Sequence, residues 1–217
     1  MAVSDMLSLK LEAVIKRYNR SPIFSPVSFE ISTGNIIAVT GSNGSGKSTL
    51  LKIIAGVTAP SKGQCFWSKQ SKPLEPRELQ KELGFVAPYL ELYNEMTAIE
   101  HVQFVAELKA KKISTAAALQ ELVTFGLEES IAGSNRRVNQ YSSGMQQRVR
   151  LAMAFVSEPK VLLLDEPSSN LDENGIQTLF GRIEERAKNG AIVIIATNDE
   201  REKKLASKEI PLSAYQK

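Results

Sequence analysis

The sequence holds one cysteine, Cys65, and one histidine, His101. A single thiol rules out an intramolecular disulfide and any metal cluster built on cysteines, a usage that suits a reducing cytosol. No run of about 18 or more apolar residues occurs, and residues 1–10 lack the charged-then-apolar layout of a secretory signal. The chain is therefore expected to stay inside the cell and to reach a membrane only through a partner. Charge of one sign is nowhere concentrated: 27 basic against 24 acidic residues give +3 with no basic block, so nucleic acid is not an expected partner. Internal repeats, low-complexity tracts and long linkers are missing too. At 217 residues the chain can build one sizeable core, with room for a subdomain.

What is present begins with short strand signals. Residues 7–14 alternate apolar and polar, as a half-buried strand does, and a second strand is expected over residues 27–31, closed by Thr33-Gly34-Asn35. Residues 64–67 read as a strand of an edge sheet. Residues 76–83 read as a short helix, and residues 83–87 as a strand that breaks at Pro88. From about residue 88 to 156 helical signals take over. Thr97 with Glu100 makes a capping box before an apolar face of Ile99, Val102, Val105, Ala106 and Leu108. Further helices are expected over 114–125, 143–156 and 176–188. The all-apolar runs Val161-Leu162-Leu163-Leu164 and Ala191-Ile192-Val193-Ile194-Ile195-Ala196 read as strands buried on both faces. Buried strands alternating with helices predict an α/β fold with a mostly parallel sheet and a ligand at the carboxyl ends of its strands.

The stretch that organises the chain is Gly41-Ser42-Asn43-Gly44-Ser45-Gly46-Lys47-Ser48-Thr49, between the apolar run Ile36-Ile37-Ala38-Val39 and the helical pattern Leu50-Leu51-Lys52-Ile53-Ile54. Its spacing fits G-x-x-x-x-G-K-[ST]. Glycines let the backbone take positive φ and close around an anion. The loop N–H groups and the helix start then face the β- and γ-phosphates of a nucleotide. Lys47 supplies a point charge, and the Ser48 hydroxyl is a hard oxygen ligand suited to Mg²⁺. About 115 residues on, Asp165 and Glu166 close the run 161–164, where a parallel sheet brings them beside the phosphate loop. Asp165 is expected to hold Mg²⁺, and Glu166 to take a proton from the water that attacks the γ-phosphate. Two carboxylates serving as helix caps are the plainer alternative.

Tyr141-Ser142-Ser143-Gly144-Met145-Gln146-Gln147-Arg148 resembles the L-S-G-G-Q signature of the ATP-binding cassette proteins, with Tyr141 for Leu, Ser143 for the first Gly and Met145 for Gln. Gln147 lies 18 residues before Asp165. The resemblance covers nearly the whole chain. It implies a phosphate-loop NTPase core, an N-terminal antiparallel β part and an inserted helical subdomain, all in one domain over residues 1–217. Residues 1–87 and 157–217 would form the nucleotide-binding core, and 88–156 the helical subdomain with the signature. Tyr18 sits where the family stacks an aromatic on adenine; the alternative is that it covers a sheet face. Ser169-Asn170-Leu171-Asp172 looks like the family's D-loop. The resemblance also implies a head-to-tail homodimer or heterodimer clamping two ATP molecules. In it Ser142, Ser143 and Gly144, which as an alternative only cap a helix, meet the γ-phosphate held by the partner. Integral membrane subunits are the further partners implied, with the chain peripheral at the cytoplasmic face.

Two positions depart from the family pattern. The strand 83–87 would end in a glutamine near Mg²⁺ and the attacking water, and Pro88, without an N–H or polar side chain, falls there. The strand before Asn198 would be followed by a histidine, and Asn198 offers a neutral amide or a cap for the helix opened by Asp199, Glu200 and Glu202. His101, on the helix after Thr97, is expected at a surface or interface and does not replace it. The expected function is the ATP-hydrolysing subunit of a transporter with separate spanning subunits, with slowed turnover. The single-cassette layout is similar to haem-exporting subunits of cytochrome c assembly and to other small exporters. The alternative is a nucleotide-dependent clamp that seldom turns over, which retention of Glu166 argues against. A chromosome or repair ATPase would need a long coiled-coil insertion that about 115 residues leave no room for. Nothing but residues 200–217 is expected after the last strand, and the coupling surface is expected over residues 89–96.

Overall fold

A computed structural model describes residues 6–19 and 21–213; the ends of the expected 1–217 domain and residue 20 lie outside that range. Strand β1 (Leu7–Ile15) is followed by a two-residue hairpin, β2 (Arg17–Tyr18) and β3 (Ser21–Pro22), then by β4 (Val27–Ser32) and β5 (Ile36–Thr40). Helix α1 (Lys47–Ile54) leads to β6 (Lys62–Lys69), β7 (Lys72–Pro73), α2 (Pro76–Glu82) and β8 (Leu83–Val86). Helices α3 (Ala98–Leu108), α4 (Thr115–Thr124), α5 (Glu129–Ala132) and α6 (Ser143–Phe155) form a continuous helical run. The chain then returns through β9 (Val161–Asp165), α7 (Glu173–Lys188), β10 (Ile192–Ala196), α8 (Glu200–Lys203) and β11 (Lys208–Pro211).

Two sheets result. The antiparallel one runs β4-β1-β6-β7, and the other, in which each pairing is parallel, runs β11-β5-β10-β9-β8. Successive residues of a strand face opposite sides, so each parallel strand divides its apolar residues between two cores. Val161, Leu163, Ile192 and Ile194 join α1 and the antiparallel sheet in one core. Leu162, Leu164, Val193 and Ile195 join α3, α4, α6 and α7 in the other. That is why the runs 161–164 and 191–196 carry no polar residue: both faces are covered.

Register places the site. Val39 pairs with Ala196, Ala196 with Asp165, and Val86 with Leu164, so β5, β10, β9 and β8 end level. The residues that follow, Gly41 onward, Thr197-Asn198, Glu166 and Ala87-Pro88-Tyr89, leave the sheet along one edge. Gly84 shows how closely the helical layer is seated, since a Cβ there would lie 2.4 Å from the Ala154 carbonyl oxygen on α6.

Two expectations are corrected. β11 follows the last expected strand and pairs with the far side of β5, so residues 208–211 are part of the sheet. His101 is buried, not at a surface: its Nε2 accepts the Tyr93 N–H at 2.9 Å, which puts the ring proton on Nδ1, 2.8 Å from the Thr97 carbonyl. The buried face of α3 is therefore Ala98, His101, Val102 and Ala106, and Leu108 is exposed. The Thr97 and Glu100 capping box forms as expected.

Burial holds the His101 imidazole below its ordinary pKa. Below about pH 6.5 the unfolded chain then binds a proton that the folded chain refuses, so this residue makes stability fall as pH falls. Urea unfolding between about pH 7.5 and 5.5 should show a shallower pH slope for His101→Gln than for the parent chain. Equal slopes would mean that the imidazole is already charged in the fold.

Candidate functional site

The phosphate loop wraps the end of β5 and the start of α1. Gly46 precedes α1 at φ 97°, a left-handed conformation that side chains resist, and a Cβ there would come within 2.7 Å of both Ile23 Cγ2 and Phe24 Cδ1. Gly41, at φ 146°, lies so close to Leu212 that a Cβ would meet its carbonyl oxygen at 2.3 Å. The Lys47 ammonium is buried and donates to the carbonyls of Gly41 at 2.7 Å and Ser42 at 3.3 Å. Ser45 is buried as well, its Oγ without a hydrogen-bond partner. A cleft of about 320 Å³ opens over this loop. Its walls are Asn43, Gly44, Gly46, Lys47, Ser48 and Thr49, with Glu166 opposite and Ile23 at the side.

Asp165 and Glu166, neighbours in sequence, meet different surroundings. Asp165 is 2% exposed and leaves Oδ2 buried without a partner. Burial above all raises its carboxyl above the ordinary value, while the nearby Ser48, Lys47 and Lys52 pull it down. An orphaned buried carboxylate oxygen near a hydroxyl is a donor set that a divalent cation satisfies. Among the described residues no group of three or more His, Cys, Asp or Glu could cage a metal. Glu166 is exposed on the cleft and sits at φ 47°, its N–H held by the Ala196 carbonyl at 2.9 Å. Strained backbone of that kind persists where surrounding structure fixes it, and it turns the carboxylate toward the loop.

Asn198 lies one residue past the turn residue Thr197 and donates through Nδ2 to Asn43 Oδ1 at 3.1 Å, so it reaches the phosphate loop from β10. Tyr18 lies on the β2–β3 hairpin, 57% exposed, with the Lys16 ammonium 5.5 Å from its ring centre. It does not line the cleft. Ser142, Ser143 and Gly144 form the start of α6, where Ser142 caps the helix by accepting the Met145 N–H at 3.3 Å. They too lie outside the cleft of their own chain. They contact the loop after Glu166 instead: a Cβ on Gly144 would meet the Asn170 carbonyl at 2.7 Å, and Gln147 donates to the Pro167 carbonyl at 2.8 Å.

Sequence reasoning missed three residues beside the site. Ile23 gives the cleft an apolar wall, and it falls between the expected strands 7–14 and 27–31, where no periodic pattern signals it. Tyr89, directly after Pro88, lies on Lys52, whose ammonium is 3.9 Å from the ring centre. Burial first and the nearby Asp165 charge second raise its phenol well above the ordinary range. Glu202, fully buried on α8, accepts the Ser168 N–H.

Gly46→Ala would strain the loop at a left-handed position and drive a methyl group into Ile23 and the buried Phe24. The loop relieves that by moving, and ATP must pull it back. ATP affinity measured by calorimetry should fall about tenfold or more, and an unchanged affinity would show that the loop tolerates the methyl group in place.

A family model described as ABC transporter matches residues 24–169, more than half of the chain. A sulfate/thiosulfate import ATP-binding protein, CysA 2 of Rhizobium meliloti (strain 1021), is 34% identical over 90% of this chain. The chain spans about half the length of that relative, 54%. The cytochrome c biogenesis ATP-binding export protein CcmA of Aliivibrio fischeri is 33% identical, over 82% of this chain and 85% of its own. The lipoprotein-releasing system ATP-binding protein LolD of Idiomarina loihiensis is 35% identical, over 82% and 80%. Among solved structures, the dimeric post-hydrolysis state of the ATP-binding cassette MJ0796 with ADP and Pi superposes with a TM-score of 0.82 at 29% identity, covering 94% of each chain. The chain thus has the fold of a known ATP-binding cassette, and it belongs to the ABC transporter family as one of its ATP-binding ATPases.

Proposed function

We propose that this cassette binds ATP with Mg²⁺ between residues 41–49 and Glu166, hydrolyses it with Glu166 as general base, and passes the resulting motion to separate membrane-spanning subunits. The observation that carries the reading is the meeting of four groups at one cleft. They are the buried Lys47, the Ser48 hydroxyl, the unpartnered Asp165 Oδ2 and the exposed Glu166 carboxylate. Ser48 and Asp165 would hold Mg²⁺, which when bound supplies positive charge to the β- and γ-phosphate oxygens. Lys47 and the N–H groups of the loop and of the α1 start carry the rest of that charge. Glu166 takes a proton from the attacking water as its oxygen bonds to the γ-phosphorus, and the bond to ADP breaks.

The site needs a second copy of the cassette. Ser142, Ser143 and Gly144 stand exposed or half-exposed at a helix N-terminus outside their own cleft, free to meet a γ-phosphate held by a partner. Dimeric forms of a cassette of this fold support that arrangement. Tyr18, on the hairpin beside Ile23, is our adenine-stacking residue. Among the described residues no helix is long and apolar enough to cross a membrane, which fits a chain held at the cytoplasmic face by partner subunits. In this reading residues 88–156, the helical subdomain, and above all 89–96, face those subunits.

Pro88 and Asn198 lower the rate without abolishing it. Pro88 offers no side-chain donor, and Asn198 offers a neutral amide tied to Asn43 where a histidine could carry charge. The same two residues favour a second reading, a clamp that works by binding and seldom turns over. Steady-state ATP turnover with Mg²⁺ separates the two. Glu166→Gln should lose about a hundredfold or more in kcat while keeping ATP affinity, and Asn198→His should raise kcat severalfold. Turnover equal in Glu166→Gln and parent would remove Glu166 as the base, and a rise of little size in Asn198→His would remove Asn198 as the cause of slowness.

A further inference from the structure

One buried ionisable group near the cleft has no part in the scheme above. Glu202 is 0% exposed although it lies on the four-residue helix α8, among charged neighbours that point outward. Its Oε1 accepts the backbone N–H of Ser168 at 2.9 Å. Oε2 is buried with no hydrogen-bond partner. Burial above all raises the carboxyl above its ordinary value, while the nearby Ser168 and Thr197 pull it down. Leaving a carboxylate in such a place costs stability, and apolar residues of the same volume would fill it better.

Its two attachments explain its presence. Ser168 is two residues past Glu166, in the turn where the Ser169 N–H returns to the Glu166 carbonyl at 3.2 Å. Thr197 is one residue before Asn198; its N–H binds the Val39 carbonyl at 3.0 Å, and its Oγ1 accepts the Asp199 N–H at 2.9 Å. A carboxylate accepts only, and this one takes the Ser168 N–H while standing on the helix that opens directly after Thr197-Asn198, with Asp199 as its cap. The loop 167–172 is otherwise held from the helical layer, through Gln147 on the Pro167 carbonyl and Gly144 against Asn170. Glu202 is its fixed point on the sheet side.

We infer that Glu202 is a positioning residue: it fixes the loop after Glu166 to the turn that presents Asn198, so that the base and the γ-phosphate contact keep one mutual geometry while the helical layer moves. The inference rests on Glu166 being the base. It predicts an effect on the chemical step and not on nucleotide binding, because Glu202 touches neither the phosphate loop nor the cleft wall.

The test uses the full chain with three variants. Glu202→Met removes the acceptor at similar volume, Glu202→Gln retains one acceptor oxygen, and Glu202→Asp keeps the carboxylate but withdraws it from the Ser168 N–H by one methylene. Glu202→Met should lower kcat about ten- to a hundredfold with KM and the ADP dissociation constant within about twofold. Amide exchange over residues 166–172 should quicken about tenfold or more, since the Ser168 N–H loses its acceptor. Glu202→Gln should return kcat to within about threefold of the parent. An unchanged kcat in Glu202→Met, or a loss shared by kcat, KM and ADP affinity that Glu202→Gln does not rescue, would overturn the inference. Should Glu202→Met not fold, Glu202→Asp decides: kcat lowered at unchanged KM supports the link, and an unchanged kcat refutes it. Glu166→Gln in the same assay keeps the two readings apart. If it turns over like the parent, the assignment of the base has failed, whereas loss of turnover there with an inert Glu202 sinks only the positioning role.

Discussion

The hydrogen-bond register of four parallel strands governs this molecule. Val39, Ala196 and Asp165 stand level across β5, β10 and β9, with Val86 of β8 one residue short of them. A slip of one residue in β9 would exchange Leu162 and Leu164 with Val161 and Leu163 between two different cores, and would carry Asp165 away from Ser48. Because both faces are buried, neither core yields to such a slip. The chemistry is thus located by packing that lies below it. The phosphate loop, Glu166, Asn198 and the Pro88-Tyr89 turn come from four strands up to about 160 residues apart in sequence, and they share an edge because those strands end together.

At that edge the rules that stabilise the rest of the chain are broken. Asp165 keeps a buried oxygen without a partner, Glu166 holds a left-handed backbone, Gly46 takes a conformation that only glycine adopts freely, and Glu202 hides a carboxylate. Each costs free energy in isolation. They lie within one small region, and each is held by ordinary structure: Asp165 by its pairing with Ala196 in the sheet, Glu166 by the Ala196 carbonyl, Glu202 by the Ser168 amide. Departures from local rules that gather in one place are expected where function, and not stability, selects the residue.

This distribution also explains what could be read before the structure. The strands β5, β9 and β10 announce themselves as unbroken apolar runs because both their faces are covered, and the phosphate loop because its glycines and Lys47 have fixed spacing. β11 was missed because Lys208-Glu209-Ile210-Pro211 has one apolar residue, two charges and a proline. It is an edge strand that exists through β5, and nothing in its own composition requires it. His101 looked like a surface residue because an imidazole on a helix usually is one. Its burial depends on the Tyr93 N–H arriving from the preceding turn, a contact that no periodicity encodes. Ile23, Tyr89 and Glu202 were illegible for the same reason, since each owes its place to a partner distant in sequence.

Relatives named for sulfate or thiosulfate import, for cytochrome c biogenesis and for lipoprotein release stand at nearly equal identity to this chain. The geometry accounts for that. The cleft is built from a glycine-rich loop, a buried lysine and an exposed carboxylate, to which our reading assigns phosphate and its chemistry, and none of them reads a cargo. What differs between such proteins must act through the helical layer, and here that layer meets the site at few points. One is Gln147 on the Pro167 carbonyl, and another is the close seat of Gly144 against Asn170. Both fall on the loop that begins one residue after Glu166. A motion of the helices would therefore reach Glu166, our proposed base, through that loop, and whatever anchors the loop to the sheet determines how much of the motion becomes a change in the position of that carboxylate.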